Sequence, residues 1–302
     1  MVDEVLNILK PKKNSLYVDA TFGQGGYSLK LLEKSNCTVI GIDRDKKAEK
    51  YAEKIKSIYK ENFFFYISRF SKIKEILKFH NQKVDAFIFD LGVSNTQLNQ
   101  AKRGFSFSNE GPLDMRMGCQ NNDNLTAEEV VNNFKEKELS DIFFKYGEEK
   151  KSFLISKEII KARKEKKIKS TTELSSIINK LFKFKKNKIN PSTRVFQALR
   201  IYLNDELNEL EKVLNSILNL LEKNGKIIVV SFHSLEDKIV KNFFKANSGV
   251  FYDNYRQKPP KKRSTPTTLK IITKKPVVPG NKEIKINPRS RSAKLRAAQK
   301  IC

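Results

Sequence analysis

The first 92 residues alternate short apolar runs with longer segments of mixed polarity. The apolar runs are nearly continuous and rich in β-branched and aromatic residues, which is typical of strands buried on both faces of a parallel sheet. They are 15–22 (SLYVDATF), 37–43 (CTVIGID), 62–68 (NFFFYIS) and 84–92 (VDAFIFDLG). The segments between them, 27–34, 46–59 and 70–80, space apolar residues three or four apart, as crossover helices do. This order predicts an α/β fold with a doubly wound sheet.

From about residue 105 to residue 204 the strand pattern disappears and helical periods replace it. Thr126 with Glu129, and Ser170 with Glu173, have the spacing of capping boxes in front of apolar-periodic runs. At least two helices should therefore start at Thr126 and Ser170.

The alternation of helix and strand resumes after residue 204. It predicts a helix over 207–222 that ends at Asn224-Gly225, a buried strand over 226–232 and a helix over 235–246. The runs 250–255 and 268–278 are predicted to close the sheet as a hairpin-like pair. We therefore predict an all-helical domain, 105–204, inserted into one α/β domain made of 1–104 and 205–302.

The cysteines and histidines are few and scattered. The 302 residues contain Cys37, Cys119, Cys302, His80 and His233, whose spacing predicts neither a disulfide framework nor a metal site. No apolar run approaches the roughly 18 residues that span a bilayer, and the N-terminus does not resemble a secretory signal. We expect a cytoplasmic protein without a membrane partner.

The positive charge is clustered. The formal net charge is +26, and residues 145–190 contain 15 Lys or Arg against 5 Asp or Glu, while 256–302 contain 15 against one. The rest of the chain is nearly balanced, with 30 against 28. A near-neutral body with two basic segments favours a nucleic-acid partner over the alternatives, which are solvated faces or an anionic surface.

A glycine-rich turn follows the first predicted strand. It reads DATFGQGGY from Asp19 and leads into a helix, so backbone N–H groups at the helix start can approach a ligand closely. Asp43 ends the next strand, where a carboxylate can accept both hydroxyls of an adenosine ribose. Because the turn lacks the GxGxxG spacing, this set favours S-adenosylmethionine over NAD; a plain tight turn with a surface Asp is the alternative.

The fourth predicted strand ends at Asp90, in the sequence DLGVS. An exocyclic amine is a poor nucleophile while its lone pair is delocalised into the ring. A carboxylate that accepts its N–H bonds favours a more pyramidal nitrogen, so catalysis there depends on positioning and electrostatics. Asp90 is thus a candidate for contacting the cofactor or polarising a target amine, with a helix N-cap as the alternative.

Nine stretches, in order across nearly the whole chain, resemble the bacterial ribosomal RNA small subunit methyltransferase H (MraW) family. They are DATFGQGGYS from Asp19, GIDRD from Gly41, DLGVSNTQL from Asp90, RGFSF from Arg103, GPLDMRM from Gly111, YGEE from Tyr146, TRVFQALRIYLNDEL from Thr193, SFHSLEDKIVK from Ser231 and NPRSRSAKLR from Asn287. The resemblance implies a Rossmann-like class I methyltransferase fold with a helical insertion. It also implies transfer of a methyl group from S-adenosylmethionine to the N4 amine of a cytidine in the decoding region of small-subunit (16S) rRNA.

The resemblance also implies the cofactor-binding positions. These are Gly25, Gly26, Tyr27, Asp43, Phe70, Asp90 and Gln97. Without it, Phe70 would be interpreted as a core residue and Gln97 as a surface residue. The chain departs from the family pattern in two places. It has Tyr27 where the family usually has His, which puts a role for an imidazole at this position in question. Almost nothing precedes Asp3-Glu4, which puts in question whether the N-terminus covers the pocket.

Further candidates are catalytic or contact the substrate. His233 is expected beside the target base, or else as a locally bonded turn residue; a hydrolase triad of Ser231, His233 and Asp237 is disfavoured because no GxSxG elbow is present.

Guanidinium groups and an aromatic ring are candidates for RNA contact, with hinge packing or solvated faces as alternatives. They are Arg103, Phe105, Arg116, Arg194, Arg200, Arg289 and Arg291, the last two on a predicted basic C-terminal helix or tail.

Two competing functions remain open at this point. A DNA amino-methyltransferase needs similar chemistry, although DLGVS lacks the prolines usual in the motif of those enzymes. An RNA-binding assembly factor could keep the pocket without turnover, although the intact Asp43 and Asp90 argue against it. The expected partner is small-subunit rRNA or the small ribosomal subunit, and a homodimer is the oligomer considered.

Overall fold

A computed structural model of the chain describes residues 1–80, 82–118, 125–182, 190–249, 251–252, 262–263 and 267–302. The chain divides into two compact units. Unit 1 contains Met1–Gly92 and Leu207–Cys302, and unit 2 contains Val93–Glu206. Cys119 and most of the strand predicted over 250–255 lie outside the described residues.

The first part of unit 1 alternates helices and strands, as its sequence predicts. Its elements are α1 (Val2–Leu9), β1 (Leu16–Asp19), α2 (Gly26–Lys34), β2 (Thr38–Asp43), α3 (Glu49–Tyr59), β3 (Phe63–Ile67), α4 (Ile73–Leu77) and β4 (Val84–Asp90). Short 3-10 turns at Lys46–Ala48 and Phe70–Lys72 precede α3 and α4.

Unit 2 is built from helices. They are α5 (Asn95–Asn99), α6 (Ala127–Asn133), α7 (Glu136–Gly147), α8 (Ser152–Glu165), α9 (Thr171–Lys180) and α10 (Ser192–Asn204). The capping boxes predicted at Thr126 and Ser170 are confirmed, since each side chain accepts the N–H of the glutamate three residues on. The helices enclose their own apolar core, which includes Leu113, Val130, Phe143 and Leu199.

The chain then passes through α11 (Glu206–Ile217) back into unit 1. The remaining elements are β5 (Leu221–Ser231), α12 (Ser234–Ala246), β6 (Phe251–Tyr252), β7 (Lys262–Arg263), β8 (Leu269–Ile271), α13 (Asn281–Ile286) and β9 (Lys294–Lys300). A 3-10 segment, Pro288–Ser292, leads into β9.

Seven strands form one sheet in the order β3-β2-β1-β4-β5-β9-β8. The first five are parallel, and β9 runs antiparallel to both β5 and β8. Apolar cores cover both faces, which explains why the strand sequences are nearly continuous in apolar character. This is the doubly wound, Rossmann-like sheet that the sequence predicts.

The C-terminal half departs from the sequence prediction in three places. The helix predicted to reach Glu222 ends at Ile217, because Leu221 already pairs with Val84 in the sheet. The predicted basic C-terminal helix is instead β9, since Leu295, Ala297 and Ala298 are buried between β5 and β8. The predicted hairpin-like pair is also wrong: β8 pairs with β9, whereas β6 pairs with β7.

No helix among the described residues is both long and apolar enough to cross a membrane.

Candidate cofactor and catalytic site

The strand order of unit 1 reverses between β1 and β4. In open α/β sheets, ligands bind at the carboxyl ends of the strands beside such a switch point. Asp19 ends β1 and lies opposite Ile88 of β4, so Asp90 is two residues farther along the neighbouring strand. On the other side Asp19 lies opposite Gly41, with Asp43 two residues beyond it.

Because directly paired residues share a face of the sheet, Asp19, Asp43 and Asp90 all belong to the same face. Asp43 and Asp90 are on the two strands that flank β1. With neighbouring strands roughly 4.8 Å apart, the two backbones are separated by about 10 Å. The turn after Asp19 begins between these strand ends.

This turn is shaped by glycines at positive φ. Gly23 has a φ of 56° and Gly25 a φ of 79°, and Gly25 is the N-cap of α2. A Cβ at Gly25 would lie 2.6 Å from the Phe22 ring and 2.7 Å from Ile55. Gly25 is therefore required by the protein's own packing and backbone conformation.

Gly26 is different, because a Cβ built on it would meet no protein atom within 4 Å. Its φ is not in the left-handed region either. Neither backbone strain nor a described neighbour requires glycine here. Open space at the first residue of a helix, where N–H groups point outward, suits the close approach of a ligand.

Asp43 holds the turn in place. Its Oδ2 accepts the Gly23 N–H at 2.7 Å, and its Oδ1 accepts the Asp45 N–H at 2.8 Å. Burial raises the pKa of Asp43 above its usual range, although these two N–H groups act in the opposite direction. Each carboxylate oxygen has a second lone pair, so the group can also accept hydroxyl donors of a ligand.

Asp90 is held at its backbone. Its N–H donates to the Thr21 hydroxyl at 2.6 Å, which ties the end of β4 to the turn after β1. Its Oδ1 is buried and has no hydrogen-bond partner among the described residues. Burial, and then the nearby charge of Asp19, raise the pKa of Asp90 to about 7. The helix N-cap considered as an alternative is instead Ser94, at the start of α5.

Asp19 is a further ionisable group near Asp90. The sequence did not reveal that its charge raises the pKa of Asp90. It is fully buried; its Oδ2 accepts the Ser28 hydroxyl at 2.7 Å, and its Oδ1 has no hydrogen-bond partner among the described residues. Burial raises the pKa of Asp19 to about 6, with Ser28 opposing the change. Its position at a strand end was visible in the sequence, but its contact with Ser28 on α2 was not.

Tyr27 lies in the first turn of α2 and is 9% exposed. Burial, followed by the charges of Asp90 and Asp19, raises the pKa of its hydroxyl. Hydrogen bonding with this hydroxyl lowers the pKa of Asp90. Tyr27 therefore interacts with the candidate catalytic carboxyl.

The other two predicted cofactor residues have structural contacts. Phe70 begins the 3-10 turn after β3 and packs edge-on against Phe89, with ring centroids 5.9 Å apart. It is only partly buried. Gln97 belongs to unit 2, is 5% exposed and forms a reciprocal capping box with Ser94 at the start of α5. The interpretation of Gln97 as a surface residue is therefore wrong.

His233 is the N-cap of α12. Its Nδ1 accepts the Glu236 N–H at 3.4 Å, and its Nε2 lies 3.0 Å from Glu236 Oε1. The Glu236 carboxylate in turn accepts the Phe232 N–H. This is the locally bonded arrangement considered from the sequence for Nδ1, whereas the buried Nε2, although 3.0 Å from Glu236 Oε1, makes no hydrogen bond with any described residue.

The disfavoured hydrolase triad is not formed. The Ser231 hydroxyl donates to the Lys294 carbonyl at 3.3 Å, and Asp237 accepts two hydrogen bonds from Arg296. Although burial alone would raise it, these bonds hold the pKa of Asp237 below its usual value.

The candidate RNA-contacting residues of unit 2 differ in exposure. Arg103 donates to the carbonyls of Arg116 and Met117, and the Arg116 guanidinium forms two hydrogen bonds with Asp114. Phe105 is 8% exposed and belongs to the core of unit 2, which fits the packing alternative.

Two arginines of α10 also have carboxylate partners. Arg200 forms two hydrogen bonds with Glu206. Arg194, whose side chain is 52% exposed, lies 3.6 Å from Glu149. Of these two, Arg194 is the more accessible to a partner.

In unit 1, Arg289 and Arg291 are exposed on either side of the buried Ser290. They lie on the 3-10 segment that precedes β9. Both guanidinium groups are therefore displayed at the surface, on a short turn rather than on the predicted helix.

Comparison with known proteins identifies relatives along the whole chain. Residues 1–301 match the model of the MraW methylase family. The chain is 48% identical over 303 residues to the protein named ribosomal RNA small subunit methyltransferase H from Rickettsia bellii (strain OSU 85-389), covering 100% of this chain and 97% of that protein. A protein of the same name from Rickettsia akari (strain Hartford) is 48% identical over 307 residues, with the same coverage.

Similar solved structures include an rRNA methylase from Streptococcus thermophilus, with a TM-score of 0.45, 11% identity and coverage of 99% of this chain and 95% of that one. A SAM-dependent O-methyltransferase from Thermotoga maritima has a TM-score of 0.39, 9% identity and coverage of 100% and 64%. Because both TM-scores are below 0.5, the assignment of this chain to a family depends on the sequence comparisons. A match over residues 1–301, together with 48% identity to relatives over their nearly full length, shows that this chain belongs to the MraW methylase family.

Proposed function

We propose that this chain methylates the N4 amine of a cytidine in the decoding region of small-subunit rRNA. Membership of a methylase family supports S-adenosylmethionine as the cofactor, and the names of the relatives support small-subunit rRNA as the substrate. The observation that carries the chemistry is the buried Oδ1 of Asp90, beside the glycine turn, which no described residue hydrogen-bonds.

The residues at the strand ends fit the cofactor. Asp43 would accept ribose hydroxyls while it keeps the turn folded, and Gly26 would allow the cofactor to approach the start of α2. Gly25, Phe70 and Gln97 would complete the cofactor contacts. When bound, S-adenosylmethionine supplies a methyl group activated by a positively charged sulfur.

Asp90 would act on the acceptor amine. Its Oδ1, once ionised, accepts an N–H of the cytosine amine and orients the nitrogen lone pair out of the ring plane. With a pKa of about 7, a substantial fraction of Asp90 is ionised at neutral pH. Burial is the main cause of this raised pKa; Asp19 raises it further, and the hydrogen bond with Tyr27 lowers it. The resulting rate enhancement comes from orientation and electrostatics.

The remaining site residues would serve the RNA. His233, which the sequence analysis places beside the target base as a candidate catalytic residue, would act there while the bond between its Nδ1 and the Glu236 N–H holds the ring. Arg194, Arg289 and Arg291 are exposed and suit phosphate contact. Arg103, Phe105, Arg116 and Arg200 would shape unit 2 and contact RNA at their exposed edges.

One experiment separates this function from its competitors. Purified protein is incubated with labelled S-adenosylmethionine and one of three acceptors: small subunits from a strain lacking the modification, naked rRNA, or duplex DNA. Nucleoside mass spectrometry then identifies the product. N4-methylcytidine from a ribosomal acceptor supports the proposal, N4-methyldeoxycytidine from DNA supports a DNA enzyme, and RNA binding without product supports an assembly factor.

We also propose that the enzyme is cytoplasmic, that its partner is small-subunit rRNA or the small ribosomal subunit, and that it does not bind a membrane. Light scattering of the purified chain, with and without rRNA, distinguishes a monomer from a homodimer.

A further inference from the structure

Unit 1 contains a groove between α12 and the edge strand β8. It has a volume of about 480 Å³, within the range of roughly 300–1,000 Å³ that is usual for small-molecule sites. Apolar side chains from both elements line it, among them the buried Phe244 and Leu269 and the half-buried Ile271.

Four exposed lysines also line the groove. Lys241 and Lys245 are one turn apart on α12, and Lys270 and Lys274 come from β8 and the residues after it. Within the described part of the chain, the groove lining includes no Asp or Glu. The carboxylate that acts on these lysines from outside the lining is Asp237, one turn before Lys241 on α12, which is paired with Lys294 and Arg296 and whose pKa the charge of Lys241 also lowers. Arg296, also in the lining, is already bonded to Asp237.

The groove is separate from the strand ends that carry Asp19, Asp43 and Asp90. Ile271 pairs with Ala298, which pairs with Ile227 of β5, whereas Asp90 is level with Val230. That is three residues, about 10 Å, along the strands and three strands, about 14 Å, across the sheet. A ligand in the groove therefore does not occupy the candidate catalytic site.

The lining indicates the ligand's chemistry. Four lysines in a lining without carboxylates attract phosphate, and an apolar floor accommodates the flat face of a sugar or base, so the combination suits a nucleic-acid strand better than an isolated inorganic anion. We propose that this groove is a second RNA-contact site, which binds the rRNA strand away from the methylated base. The inference rests on the proposed function, because that function makes rRNA the available polyanion.

The test measures the salt dependence of RNA binding. The probe is a fluorescently labelled transcript of small-subunit rRNA that includes the decoding region, titrated by anisotropy at several KCl concentrations. In the groove variant, Lys241, Lys245, Lys270 and Lys274 are all replaced by Gln. The slope of log K against log salt should decrease in magnitude by about 0.7 to 0.9 per lost phosphate contact, hence by roughly 3 in total.

The matched control replaces four exposed lysines elsewhere on unit 1, Lys13, Lys34, Lys54 and Lys56, by Gln, which removes the same charge. Its slope should change by less than one. Affinity for S-adenosylmethionine should be unchanged in both variants. Two half-variants, one for the α12 pair and one for the β8 pair, should each show about half of the fourfold variant's decrease in slope, roughly 1.5, and they provide the measurement if the fourfold variant does not fold.

The outcomes separate the two proposals. Equal slopes in the groove and control variants, with normal N4-methylcytidine formation by the wild type, would overturn the proposed RNA contact in the groove and leave the proposed function standing. Absence of methylated rRNA with the wild type itself counts against the proposed function.

Discussion

Asp19 and Asp90 lie on the same face of two adjacent parallel strands, and each has one buried carboxylate oxygen without a hydrogen-bond partner among the described residues. Burial is the main reason why the pKa of each carboxyl is raised; the charge of Asp19 raises the pKa of Asp90 further, and the charge of Asp43 raises the pKa of Asp19 further. Natural proteins retain such unfavourable burial mainly at functional sites.

This arrangement should make stability depend on pH. The unfolded chain releases the Asp90 proton near pH 4, whereas the folded protein retains it up to about pH 7. The unfolded state therefore binds fewer protons within this window, and stability should decrease as pH rises through it. Asp90→Asn should raise Tm by several degrees at pH 8 and have little effect at pH 4, as measured by calorimetry. Asp141→Asn, at an exposed position on α7, is the control and should show no such difference.

The two adjacent glycines of the turn should respond differently to the same substitution. Gly25→Ala should destabilise the fold, because the added carbon would overlap Phe22 and Ile55 at a positive φ. Gly26→Ala should leave Tm within about 1 °C of the wild type and still weaken S-adenosylmethionine binding at least tenfold, as measured by titration calorimetry. Unchanged affinity in Gly26→Ala would place the cofactor elsewhere.

Asp43 and Asp90 should affect different steps. Asp43→Ala removes the acceptor of the Gly23 N–H and the expected ribose contact, and hydrogen bonds to a charged group contribute about 1.5–3 kcal/mol each. The Kd for S-adenosylmethionine should rise at least tenfold. Asp90→Ala should change this Kd only a few-fold and lower kcat about 100-fold, a usual cost of losing one electrostatic contact to the reacting group. Full activity in both variants would refute the site assignment.

Tyr27 should affect the pH dependence of kcat. Its hydroxyl lowers the pKa of Asp90, so Tyr27→Phe should raise that pKa above about 7 and shift the rising limb of kcat to higher pH. At pH 9 the variant should regain most of the wild-type rate, which a merely structural defect would not produce. Tyr59→Phe, at the end of α3, is the matched control and should leave the limb in place. A Tyr27→Phe profile parallel to the wild type would exclude this coupling.

Much of the fold was determined locally by the sequence. The continuous apolar runs predicted β1 to β4 because strands buried on both faces need no polar side. The spacing of Thr126 with Glu129 and of Ser170 with Glu173 predicted helix starts because each bond joins groups only three residues apart. The glycine turn and the strand-end positions of Asp43 and Asp90 followed from the same short-range patterns.

Tertiary structure decided what depends on partners distant in the chain. Residues 294–300 became a strand because β5 and β8 offered ladders on both sides, which outweighs any helical pattern in the sequence. The same holds for Asp19, whose burial and bond to Ser28 depend on how α2 packs against β1. The groove beside β8 likewise exists only once residues from α12, β8 and the C-terminus have been brought together. Local spacing determines elements and caps, whereas burial, and with it pKa and the exposure of charge, arises only from packing.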